Sequence, residues 1–175
     1  MPGILEKPVE KYLDSLLPKR DAVLAEMEKY ARRRKIPIIG PSCGRLLYLL
    51  AQISGAKRMF EMGSAIGYST IWLARGAGME AEIYYTDGDP ENARRARQNF
   101  RRGGVEDRIQ LLVGDAIALI DGVPGAFEVG GTVLPEGPQR RQVSHRFGAV
   151  QQRQRPAHGL LVVRCRGHPR PRQEQ

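Results

Sequence analysis

Apolar positions along the chain fall at helical spacing over the first third and then alternate between strand-like and helix-like blocks. Val9 to Leu17 predicts a short amphipathic helix, stopped by Pro18. Asp21 is placed to cap a second helix, with Val23, Leu24, Met27, Tyr30 and Ala31 on one face. Arg32-Arg33-Arg34-Lys35 closes it, where positive charge suits the helix dipole. Ile36-Pro37-Ile38-Ile39-Gly40-Pro41 reads as rigid and extended, and Ser42 is expected to cap a third helix bearing Leu46, Leu47, Leu49, Leu50 and Ile53.

The next blocks are shorter. Arg58-Met59-Phe60 predicts a strand that runs into a glycine-bearing turn, and Ser69 to Arg75 a helix. Ala81 to Thr86 predicts a strand ending at Asp87. Asp89-Pro90 opens a helix with a capping carboxylate and a proline at its first position, and Gly103-Gly104 ends it. Ile109 to Val113 is a third strand, Ala116 to Ile120 a short helix, and Ala126-Phe127-Glu128-Val129 begins a fourth strand. Strands and helices in this alternation imply an α/β fold with a parallel sheet and right-handed crossovers, the extra N-terminal helices covering a face or forming a lid.

The pattern breaks after Val129. Gly130-Gly131 is poor strand sequence. Arg, Gln and Pro then dominate the chain as far as Leu160-Leu161-Val162-Val163, which again looks like a buried strand. Residues 1–129 are therefore read as the folded region, and residues 130–175 as an atypical tail, frameshifted or disordered. Charge divides at nearly the same place. The formal net charge is +9, and residues 128–175 carry nine arginines against three glutamates. No lysine comes after Lys57 and no aspartate after Asp121. A change of reading frame would produce such a switch in composition.

Cys43 and Cys165 fit no metal-ligand spacing, the first residues lack the order of a secretory leader, and no apolar run is long enough to span a membrane. A cytoplasmic, reduced setting is the expectation. With aromatic residues at 6%, the basic stretches lack the stacking partners of a nucleic-acid groove, so nucleic acid is not the expected partner.

The candidate chemistry lies at the ends of the first three strands. Phe60-Glu61-Met62-Gly63-Ser64-Ala65-Ile66-Gly67-Tyr68-Ser69 joins strand to helix through glycines, which let backbone approach a ligand. Its Glu-x-Gly-x-x-x-Gly spacing is not the Gly-x-Gly-x-x-Gly of dinucleotide binders. Asp87, at the end of the next strand, can accept hydrogen bonds from a ribose diol or serve as a turn residue. Glu61 suits backbone amides or a ligand amine. Asp115 suits an adenine amino group or a helix cap. Tyr68 and Ser69 are placed to reach a ligand carboxylate, Tyr68 alone suiting packing as well, and Ile39 suits an apolar wall of the crevice or a place in the core. None of the three histidines, His145, His158 and His168, is assigned to catalysis.

Together with Ile38-Ile39-Gly40-Pro41-Ser42-Cys43-Gly44, Thr86-Asp87-Gly88-Asp89-Pro90 and Val113-Gly114-Asp115-Ala116, this segment makes the chain from about Tyr12 to Phe127 resemble the cation-dependent, S-adenosylmethionine-using O-methyltransferases, the catechol and caffeoyl-CoA O-methyltransferases. The resemblance implies a Rossmann-like methyltransferase fold with incomplete C-terminal strands, and S-adenosyl-L-methionine as cofactor. It further implies that Glu61, Gly63 and Ser69 hold the methionine end, Asp87 the ribose, and Asp115 and Ala116 the adenine, with Ile39 over the cofactor. The acceptor would be a small hydroxylated, catechol-like molecule and the assembly a homodimer. The family also uses a divalent cation such as magnesium, which acidifies and positions the acceptor hydroxyl while a lysine takes the proton. Here the sequence departs. The family's Asp-x-Asp-Lys segment is replaced by Gly130-Gly131-Thr132-Val133-Leu134-Pro135, and Arg164-Cys165 stands where Asp-Asn would supply further ligands. The metal ligands and the catalytic lysine are therefore not found, and activity is expected to be impaired or lost. The competing readings are a nucleic-acid methyltransferase or RNA-binding module, and a non-catalytic cofactor-binding remnant.

Overall fold

The computed structural model describes residues 6–124, 127, 129–133 and 160–163. Three helices come first: α1 (Lys7–Ser15), α2 (Ala22–Arg34) and α3 (Pro41–Ser54). They are succeeded by β1 (Arg58–Met62), α4 (Tyr68–Gly76), β2 (Glu82–Asp87), α5 (Pro90–Gly103), a 3-10 turn, β3 (Ile109–Val113) and α6 (Ala116–Gly122), then β4 (Val129–Val133) and β5 (Leu160–Val163).

Local chemistry accounts for most of the helix starts. The Asp21 carboxylate accepts the Leu24 amide at 2.9 Å, Asp89 accepts the Glu91 amide at 2.8 Å, and Asp115 accepts the Ala118 amide at 2.9 Å. Each occupies one of the orphan donors of a first helical turn. The start of α3 differs from the sequence expectation. Gly40, not Ser42, is its N-cap, with Pro41 in the first turn, where its fixed φ is already helical. Ser42 instead donates to Asp14 of α1 at 2.9 Å.

The sheet order is β3-β2-β1-β4-β5. β1 pairs in parallel with β2 and β4, and β2 with β3. The expected parallel arrangement therefore holds across β1 to β4. The departure is β5, which runs antiparallel to β4. The fourth strand also lies later than the Ala126–Val129 start read from the sequence, at Val129–Val133. The ladder to Met59, Phe60, Glu61 and Met62 carries it through both glycines. Neighbour pairing has overridden a poor local preference.

Strand residues alternate between two apolar layers. Met59, Ile83 and Tyr85 face α2 to α5, packing with Leu24, Met27, Leu47, Ile71 and Phe100. Phe60, Met62 and Tyr84 face the other way, with Phe127 and the apolar side of α6. The chain builds β2 and β3 to one side of β1 and places β4 on the other, so its order reverses at β1. In open α/β sheets the ligand crevice lies at such a reversal, beyond the carboxyl ends of the strands. The tail assignment for residues 130–175, and His145, His158, His168 and Cys165, lie outside the described residues apart from the two strand segments.

Candidate cofactor site

The ends of β1, β2 and β3 are tied into one edge. Met62 lies opposite Thr86, and Asp87 opposite Val113. Beyond the ladders, the Ser64 amide donates to the Thr86 carbonyl at 2.8 Å and the Gly114 amide to the Asp87 carbonyl at 2.9 Å. Glu61, Asp87 and Asp115 are thus carried by adjacent strand ends.

The turn from β1 to α4 uses three positive-φ residues, Gly63 (74°), Ala65 (47°) and Gly67 (80°). A Cβ at Gly67 would run into the Phe100 ring and Ala96. Only glycine satisfies both the backbone and the space there. The turn is held from outside by side chains that sequence reasoning did not single out. Tyr85 donates its hydroxyl to the Ala65 carbonyl at 2.5 Å, and Asn99 donates its amide to the Ile66 carbonyl at 3.0 Å. Asn99 is buried on the face of α5 that otherwise carries Ala93, Ala96 and Phe100, and that misplaced polarity was the available signal.

Asp87 fastens the turn to β2. Its Oδ2 accepts the Ala65 amide at 2.8 Å, while Oδ1 accepts the Asp89 amide at 2.9 Å and the Asn92 side chain at 3.2 Å. A carboxylate has about four acceptor directions. Oδ2, with one donor, has the spare capacity for a ligand hydroxyl, and the Asn92 contact is the longest of the three.

Glu61 is only 3% exposed, on the same face of β1 as the first turn of α4. Thr70 donates to its Oε2 at 2.5 Å. Burial pushes its carboxyl up from the ordinary value; the hydroxyls of Ser69, Thr70 and Ser64 oppose that shift, and the Asp87 charge adds to it. Ser69 is buried beside it. The pair of a strand-end carboxylate and helix-start hydroxyls fixes how α4 leaves β1.

The remaining candidates lie further from this knot. Tyr68 is buried in the helical layer and donates its hydroxyl to Glu28 of α2 at 2.7 Å, edge-on to Trp72. Burial and the Glu28 carboxylate push that phenol up. Glu28 is also paired with Arg20 at 2.7 Å. Ile39 is half-buried in the connection from α2 to α3, against a cavity of about 400 Å³ that it lines with Glu28, Arg32, Lys35 and Pro37 but with no strand-end residue. Asp115 caps α6 with one oxygen. Ala116 packs on the Phe60 layer.

Among the described residues no group of three or more His, Cys, Asp or Glu side chains could hold a metal ion. β4 contributes Val-Gly-Gly-Thr-Val, without a carboxylate. The described residues do not fit the family's divalent cation. No helix among the described residues is long and apolar enough to cross a membrane.

The strand reversal, the glycine turn and the strand-end acids define a doubly wound α/β domain with its crevice at the carboxyl edge of the strands. The chain matches the O-methyltransferase family model over residues 17–126 and belongs to that family. It is 38% identical over 119 residues to a catechol O-methyltransferase of Mycobacterium tuberculosis, covering 67% of this chain and 54% of that protein. A catechol O-methyltransferase of Niastella koreensis is 35% identical over 114 residues, covering 64% of this chain and 52% of that protein. The chain thus spans about half the length of these relatives. Among solved structures, an O-methyltransferase of Bacillus cereus in complex with SAH superposes with a TM-score of 0.66 at 30% identity, over 71% of this chain and 60% of that one. A methyltransferase of Geobacter sulfurreducens superposes at 0.69 and 35%, over 74% and 65%.

Proposed function

We propose that this chain binds S-adenosyl-L-methionine at the β1–β2–β3 edge and that its reaction class is O-methylation of a small hydroxylated, catechol-like acceptor. The observation that supports the reading is the bonding of the glycine turn to Asp87 and of β3 to β2, which carries Glu61, Asp87 and Asp115 on adjacent strand ends. The names of the relatives and the SAH complex of a similar structure support it.

In this reading the Asp87 Oδ2 takes a ribose hydroxyl, and the second hydroxyl replaces the Asn92 contact at Oδ1. Asp115 uses the oxygen not engaged in its cap to receive the adenine amino group. Glu61 and Ser69 set the turn at the methionine end, the Gly63 backbone lies against it, and Ile39 closes over the cofactor. Tyr68 supports the same turn from behind through Glu28. The cofactor supplies an electrophilic methyl group. The described residues orient it and offer no base for the acceptor hydroxyl, so binding outlasts turnover. A cytoplasmic setting and a homodimer belong to the same reading. The outward leucines of α3 (Leu46, Leu49, Leu50) and Ile53 are the surface a second copy would bury.

Titration calorimetry with S-adenosylmethionine, with and without magnesium, tests the proposal. Micromolar binding indifferent to magnesium, with no methyl transfer to catechol, is the expected result. Absence of binding overturns the cofactor assignment, and magnesium-dependent methylation overturns the loss of turnover. Residues 130–175 are proposed to be out of frame, which resequencing the coding DNA checks by looking for an Asp-x-Asp-Lys segment in another frame downstream of Phe127.

A further inference from the structure

Two basic stretches far apart in the sequence meet in the fold. Lys29 and Arg33 lie one helical turn apart on α2, and Arg95 and Arg102 lie two turns apart on α5. The helices face each other across a cavity of about 370 Å³ lined by Glu26, Lys29, Tyr30, Arg33, Arg95 and Arg102, with Ile66 and Asn99 at its floor. Ile66 belongs to the glycine turn, and Asn99 donates to its carbonyl at 3.0 Å.

The charges in this groove are not balanced. Glu26 pairs with Arg102 at 2.5 Å and closes one end. Glu91 lies near the other end and pairs with Arg94. Lys29, Arg33 and Arg95 have no carboxylate partner among the described residues. The Arg95 Nε is buried with no hydrogen-bond partner in the described structure, and its guanidinium stacks over the Tyr30 ring at 4.2 Å; Arg34 lies over the same ring at 6.0 Å. Arg95 also donates to the Gln98 side chain at 3.4 Å, and with Arg34 it draws the Tyr30 phenol below its ordinary value; the lining itself sets Lys29, Arg33, Arg95 and Arg102 against Glu26 alone. Planar guanidinium forks with unused donors beside an aromatic ring form an arrangement suited to phosphate oxygens.

We propose that the α2–α5 groove is a binding site for a phosphate-bearing anion, separate from the cofactor edge, with Lys29, Arg33 and Arg95 as its contacts and Tyr30 as the flat wall. A nucleotide-like small molecule and the backbone of a single-stranded nucleic acid share this chemistry. Both would dock beside Ile66 of the turn that carries Gly63 and Gly67, and neither requires the cofactor to bind.

The test uses the full chain and two probes. Tripolyphosphate is titrated by calorimetry, and a fluorescent 12-nucleotide oligothymidylate by anisotropy, each at two salt concentrations. The paired substitution Lys29→Ala with Arg33→Ala is expected to weaken binding by about tenfold or more, the scale of losing charge-assisted hydrogen bonds. Arg97→Ala, on the far side of α5, removes a charge outside the groove and is expected to change affinity by less than about twofold, as a screened exposed charge does. Glu26→Gln releases Arg102 and is expected to tighten binding, a gain that a misfolded variant cannot mimic. Tripolyphosphate binding alone identifies a small phosphorylated ligand; oligonucleotide binding displaced by tripolyphosphate identifies a nucleic-acid backbone. Either supports the site. Failure of both probes to bind, or binding that Lys29→Ala with Arg33→Ala and Glu26→Gln leave unchanged, overturns it.

Discussion

The two sides of β1 are built to different standards. Toward β2 and β3, the strand ends are held by specific side-chain and backbone bonds. Thr86 Oγ1 donates to the Glu61 carbonyl at 2.7 Å, the Ala65 amide donates to the Asp87 carboxylate, and the Gly114 amide to the Asp87 carbonyl. Toward β4 and β5, the pairing is carried by Val-Gly-Gly-Thr-Val and Leu-Leu-Val-Val, sequences with no ionisable side chain. One flank holds polar side chains in a fixed geometry; the other is described by its ladder alone. A methyltransferase needs both a cofactor seat and a means to activate its acceptor, and the proposed seat draws only on the first flank.

The comparison breaks most directly at Gly67. Valine there would adopt a left-handed φ and push into Phe100 and Ala96, at a combined cost of about 3 kcal/mol. Urea denaturation of Gly67→Val should show that loss, together with loss of cofactor binding. A variant as stable as the parent would mean that the turn is not the rigid part of the domain.

Asp87→Ala comes next. Removing the carboxylate takes an acceptor from the Ala65 and Asp89 amides and from the proposed ribose contact, so S-adenosylmethionine affinity should fall by about 1.5–3 kcal/mol, the scale of hydrogen bonds to a charged group. Unchanged calorimetric affinity would remove Asp87 from the ribose role.

How far these residues were legible depends on the range of the signals. The caps at Asp21, Asp89 and Asp115, the strand–turn–helix around Gly63 and Gly67, and Asp87 at the end of β2 are local patterns, readable within a few residues. Asp115 suited either a cap or an adenine contact, and the cap is the role visible in the fold. The direction of Tyr68 was not legible, because its partner Glu28 is forty positions away. Nor was the antiparallel β5, or the passage of β4 through two glycines, since each depends on a neighbouring strand and not on its own sequence. The meeting of α2 with α5 is likewise a property of packing.

Glu61 sharpens the comparison through pH. Its folded carboxyl titrates above the ordinary value because it is buried, so between about pH 4.5 and that raised value the folded state holds a proton that the unfolded state has released. The stability this provides is complete below the unfolded value and is lost as pH rises through the folded one. Glu61→Gln should flatten that part of the curve, measured as denaturation midpoint against pH. An identical slope in the variant would assign the dependence to another group.

The smallest effect is expected on the opposite flank. Gly130 pairs with Phe60 on one side and Val163 on the other, inside a strand where glycine costs about 0.5–1 kcal/mol relative to alanine. Gly130→Ala should therefore raise stability by up to that amount and leave cofactor affinity untouched. The contrast with Gly67 is the informative part. Both are glycines next to β1, yet one is demanded by its φ and by the Phe100 ring, and the other stands against the strand preference of its own position. If Gly130→Ala instead destabilises the domain or weakens cofactor binding, β4 is as tightly specified as the strand ends across β1, and the asymmetry between the two flanks does not hold.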